Sequence, residues 1–189
     1  MRKALRLEYF TITWNVVEAV VAVGAGIAAG SIALIGFGFD SSIEGFAASV
    51  VVWQLRGAHD EARERRALRL IAITFFVLAG YVVLESARDL VTSSEPETSA
   101  LGIVVALVSI IVMPTLGFAK KRLAGKMNSQ VLHADAAETF LCAWLSVILL
   151  IGLVLNATVG WWWADPLAAL GIAWLAIQEG REALRASTW

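Results

Sequence analysis

Asp40 and Glu44 stand four residues apart, and so do Glu138 and Cys142. On a helix that spacing puts both members of a pair on one face, one turn from each other. Together they are three carboxylates and a thiol, the number of donors that closes a tetrahedral metal site. Empty and ionised, the set would carry up to four negative charges, of which a divalent cation offsets two. The empty site is therefore expected to hold protons, and metal loading to release them. A single acid pair at this spacing is ordinarily a solvated helix face, and a lone cysteine is ordinarily a small hydrophobe. What separates these four from that reading is the apolar sequence around them.

Those surroundings are long. No charge occurs in 19–39, 98–119 or 139–164, and 70–84 and 166–178 are also uncharged. A bilayer core of ~30 Å is crossed by ~20 helical residues, so these runs are long enough to span it once extended at their ends. Divided at Gly30-Ser31 and at the turn segment 156–160, the sequence predicts six transmembrane helices near 10–29, 33–55, 68–89, 99–119, 129–155 and 161–179. The fold class expected is an all-α polytopic membrane protein, residues 1–189 forming one six-helix domain with no soluble domain. The 59% hydrophobic content, 16% charged content and mean hydropathy of +0.74 exclude an ordinary soluble protein. The short alternating segments of a membrane β-barrel are not seen.

Charge placement orients these spans. Fourteen of the fifteen Lys and Arg residues fall before helix 1, between helices 2 and 3, between 4 and 5, or after helix 6; Arg88 alone falls on the other side. Positive charge gathers in cytoplasmic loops, so both termini are expected in the cytoplasm, with the plasma (inner) membrane as location. Trp161, Trp162 and Trp163 read as an anchor at the outer interface. The basic residues are thus explained by topology, and a net charge of −1 gives no reason to expect nucleic acid. A single cysteine excludes an internal disulfide, no cleavable signal is expected, and neither is an enzyme.

At 1.5 Å per residue Asp40 and Glu138 lie roughly 14 Å into their spans, and Glu44 and Cys142 roughly 20 Å, from opposite faces of the bilayer. Both pairs flank the midplane. An ionised group there costs about 2.5–3.5 kcal/mol on insertion scales, so intramembrane acids are functional candidates by default.

At these residues the sequence resembles the cation diffusion facilitator family. Segment 31–44 (SIALIGFGFDSSIE) is similar to the family's helix 2, S-x-A-L-L-A-D-A-x-[HD]-S-x-x-D, and segment 134–142 (ADAAETFLC) is similar to its A-D-A-x-H-x-x-x-D. Asp165-Pro166-Leu-Ala-Ala-Leu resembles the D-P-x-x-A-L opening of helix 6, and Asn15 matches an asparagine of helix 1. The resemblance implies a metal site of Asp40, Glu44, Glu138 and Cys142 on helices 2 and 5. It further implies a homodimer that exports zinc in exchange for protons, with Cd2+, Co2+, Fe2+ or Mn2+ as other cargoes. It points to a branch of the family without the soluble cytoplasmic domain. The ligand set departs from the family's common His/Asp set. A second reading is a non-transporting metal sensor or regulatory subunit.

Further polar residues attach to this reading. Asp135, one turn toward the cytoplasm from Glu138, is a candidate for the access path or the support of a ligand. Asn15 and Glu18 share a face of helix 1 and are expected to line the cavity. His133 is expected at the cytoplasmic interface rather than as a ligand. Asp165 before Pro166 reads as a helix cap, and Glu85 as a partner of Arg88. Gly24, Gly26 and Gly30 are expected to allow close helix packing, and Gly80 with Ala79 a dimer contact.

Overall fold

The structure, a computed structural model, describes residues 1–29, 32–57, 61–92, 99–159 and 164–188. Among the described residues there are six helices: α1 (Arg2–Ala29), α2 (Ile32–Arg56), α3 (Glu61–Thr92), α4 (Ala100–Met127), α5 (Gln130–Val159) and α6 (Ala164–Ala186). Helices α1 to α5 are long and apolar enough to cross a membrane. Helix α6 runs antiparallel to α3 over the same depth. Its Gly180 sits against Ala72 and Phe75, while its Pro166 and Ala169 share a cavity wall with Glu85 and Ser86. The protein is a polytopic all-helical membrane protein with both termini on one face.

The expected number of spans stands, but four helices overrun their apolar runs at the face of the termini. α1 begins at Arg2, α3 at Glu61, α4 ends at Met127 and α6 at Ala186. Hydrophobic length marks only the stretch that lipid requires. The flanking Ala, Arg, Glu and Lys are good helix formers and carry the backbone on. Arg63, Arg65, Arg66 and Arg69 therefore lie on the first turns of α3 rather than in a loop, and Lys120, Lys121, Arg122 and Lys126 on the last turns of α4. That helix is capped by Ser99, which accepts from the Gly102 N–H, and ends at Asn128 in the left-handed conformation, φ 48°. Helix α6 begins at Ala164, which puts Asp165 inside its first turn rather than before it. The expected Trp161–Trp163 anchor and Gly30 lie outside the described residues.

The helices are built inside out. Ala4, Glu8, Thr11, Asn15, Glu18, Ala22 and Ala25 form the buried stripe of α1, whereas Val16, Val17, Val20 and Ile27 are exposed. In a lipid solvent apolar side chains lose nothing by facing outward, so the polar ones gather within the bundle. Helix α1 packs on α2 and α4 on α5. Contacts of α1 with α4 and of α2 with α5 close a four-helix bundle, and α3 pairs with α6 beside it. Helices α1 and α2 cross at Gly38, where a Cβ would meet the Ala19 carbonyl oxygen at 3.0 Å. Gly24 is not a packing glycine as expected, because open space surrounds the place of its Cβ. Gly80 likewise faces open space, whereas Ala79 is buried in the core and is not available to a neighbouring chain.

Candidate metal centre

The packing of α2 against α5 brings their polar faces together. Cys142 of α5 stands beside Asp40 and Glu44 of α2, and Glu44 also stands beside Thr139. Glu138, one turn toward the termini, is turned to Thr74 of α3. All four candidate donors are buried, none more than 3% exposed. Their oxygens are poorly served: both of Glu44, both of Glu138 and Oδ2 of Asp40 have no directed hydrogen bond. Buried polar atoms without partners are rare, and they are the atoms a cation would engage. Among the described residues no three His, Cys, Asp or Glu side chains are drawn tightly enough to hold a metal ion. The donors share one buried layer at the α2/α5 seam without closing a tetrahedron.

Helix α1 borders this layer. Glu18 Oε2 accepts a 3.0 Å hydrogen bond from Ser41, next in sequence to Asp40. Asn15 is buried at the same seam, donating to the Thr11 carbonyl at 3.0 Å and packing on Gly45. On the side away from the termini, a cavity of about 80 Å³ leads from Asp40 past Tyr81 to Glu85 and Asp89 near the end of α3. Its other walls come from Leu145 and Leu149 of α5 and Pro166 of α6. Glu85 pairs with Arg88 at 4.0 Å.

The side toward the termini is closed by charges. Lys120, expected as a cytoplasmic loop residue, is fully buried. Its Nζ lies 2.7 Å from Asp135 Oδ2 and 3.3 Å from Glu8 Oε2, and donates to Thr139 Oγ1 at 3.0 Å. Asp135 is thus paired, and Glu8 and Lys120 are polar residues that sequence reasoning missed. The signal existed: Met113, Leu116, Lys120 and Ala124 are one stripe of α4 at helical spacing. His133 is exposed, on a groove of α5 and α6 with Lys121, Glu179 and Glu182, outside the buried layer.

A buried donor layer thus lies at the crossing of lipid-facing helices, with a cavity on one side and an ion cluster on the other. The model of the cation efflux transmembrane domain matches residues 69–188, and the chain belongs to that family, whose motifs its helices 2 and 5 resemble. The match includes Glu138 and Cys142 and begins after Asp40 and Glu44. Among its relatives are an uncharacterised transporter of Synechocystis, 27% identical over 173 residues (86% of this chain and 56% of the relative), and the cation-efflux pump FieF of Shewanella oneidensis, 34% identical over 119 residues (62% and 39%). The magnetosome protein MamB of Magnetospira is 26% identical over 167 residues (83% and 57%). The chain spans about half the length of these relatives.

Proposed function

We propose that this chain exports a divalent transition metal ion, zinc before others, in exchange for protons, through Asp40, Glu44, Glu138 and Cys142. The observation that carries the reading is that buried carboxylate oxygens of Asp40, Glu44 and Glu138 without hydrogen-bond partners lie with one thiol at the α2/α5 seam. A relative named as a cation-efflux pump supports the direction. The thiol favours zinc and cadmium over harder ions, with Co2+, Fe2+ and Mn2+ behind. The face bearing the termini is the cytoplasmic one, on the strength of its basic residues, and the plasma membrane is the location that goes with this proposal.

Zinc-dependent proton flux in liposomes holding only this protein tests the reading. Wild type is expected to show it and Glu138→Ala to lose both flux and copurified zinc. Zinc bound without any flux would make the protein a sensor or regulatory subunit instead. The assembly we propose is a homodimer, supported by the open surface at Gly80 of α3, where a second backbone can approach closely. A monomeric mass in detergent and in nanodiscs alike would count against it.

A further inference from the structure

We propose that Lys120 is the internal cation of the transport cycle: its ammonium occupies Glu8 and Asp135, the carboxylates that stand between the metal centre and the face of the termini, and it must leave them for that approach to open. This rests on the transport reading above.

Three observations carry it. The first is connectivity. The ammonium of α4 meets a carboxylate of α1 at 3.3 Å, a carboxylate of α5 at 2.7 Å and the Thr139 hydroxyl at 3.0 Å. The ammonium donates its hydrogen bond to Thr139, and the two carboxylates hold it as ion pairs. One side chain therefore ties three helices together, and none of the three ionisable groups touches solvent.

The second is position. Thr139 stands beside Glu44, and Asp135 is three residues from Glu138, so the cluster adjoins the candidate metal centre. Asp135 lies only ~8 Å along α5 from its start at Gln130, on the side of the termini. The opposite side of the centre has the cavity from Asp40 to Asp89. One approach is open space and the other is plugged by an ion cluster.

The third is charge. Two acids and one base leave the cluster one negative charge in excess when all are ionised. Displacing the ammonium exposes two carboxylates, which a divalent cation would neutralise. The Lys120 charge also feels Glu44 across the seam. A metal ion engaging Glu44 cancels that attraction and repels the ammonium, so cargo and plug act on each other through space. A merely structural role is a weak account of the cluster, since a buried ion pair is often no more stable than apolar residues in its place.

The full chain in oriented proteoliposomes tests this, with native Cys142 as reporter and a small, impermeant, cationic methanethiosulfonate added at one face at a time. In wild type and Lys120→Arg, Cys142 should be shielded from the face of the termini. In Lys120→Met, and in the charge-free Glu8→Gln/Lys120→Met/Asp135→Asn variant, its reaction rate from that face should rise by about tenfold or more. The charge-free variant guards against loss of fold in the single one. An unchanged rate from that face in the folded variants overturns the proposal. Zinc flux of the wild type is recorded in the same vesicles. Its absence would remove the transport reading, while the labelling would still decide whether Lys120 closes this face.

Discussion

Ser41 Oγ donates to Oε2 of Glu18 at 3.0 Å, a bond between α2 and α1 made one residue away from Asp40. Neighbouring helix positions point about 100° apart, so Asp40 can face α5 while Ser41 faces α1. The bond thereby fixes the rotation of α2 that presents Asp40 to Cys142. Glu18 Oε1 has no partner of its own. Ser41→Ala should therefore lower stability by about 1–3 kcal/mol, the cost of leaving a buried carboxylate short of a donor. Thermal unfolding in detergent measures it. An unshifted midpoint would mean that Glu18 is served from elsewhere.

The cluster at Lys120 makes a second prediction, on stability alone. Lys120→Met leaves Glu8 and Asp135 buried without a cation and should cost about 3–5 kcal/mol. The charge-free triple variant removes all three charges and should be close to neutral by the same reasoning. Denaturant unfolding of the two, side by side, gives the comparison. Equal losses in both would show that packing, not charge, holds these helices.

Selectivity turns on Cys142. Changing it to Asp keeps the charge of the donor set and removes the soft ligand, so the preference for cadmium should fall while zinc transport persists. Glu138→Ala should weaken zinc binding by about tenfold or more, at least the loss seen when a group that only supports a ligand is removed. Competition among zinc, cadmium and manganese in wild type and Cys142→Asp is the measurement. An identical order of preference would take the thiol out of the site.

Orientation is tested at Arg66 and Lys121, both exposed. Arg63 is a poorer choice, since its guanidinium stacks on Trp53 at 4.0 Å and donates to the Trp53 carbonyl. Cysteines at Arg66 and Lys121 should be shielded from an impermeant reagent in intact cells. Labelling at either from outside would reverse the topology.

The six spans were legible because lipid imposes a length, and a run such as 98–119 without a charge matches that length and little else. The burial of the four candidate donors was legible because they fall within or beside long apolar runs. Lys120 was not. It directly follows such a run, where a basic residue ordinarily marks a loop, and its partners Glu8 and Asp135 are distant in sequence on other helices. Only the buried stripe of α4, continued past the apolar run, gives it away. The turn of Glu138 toward Thr74 was equally hidden, since spacing tells which residues share a face and not how far a long side chain leans along it.

The pairing of α3 with α6 bears on how the molecule is made. Helices α1 with α2, and α4 with α5, are neighbours in the chain and can dock as soon as the second of each has been inserted. Helix α3 must wait until two further spans have been synthesised before α6 exists to cover Phe75 and the backbone at Ala72. Through that interval one flank of the growing bundle lies against lipid or a chaperone, and completion depends on a contact between distant parts of the chain. Faults in α6 should therefore act late, trapping a chain whose first five helices are already in place and whose last has no seat, a form fit for degradation rather than for assembly.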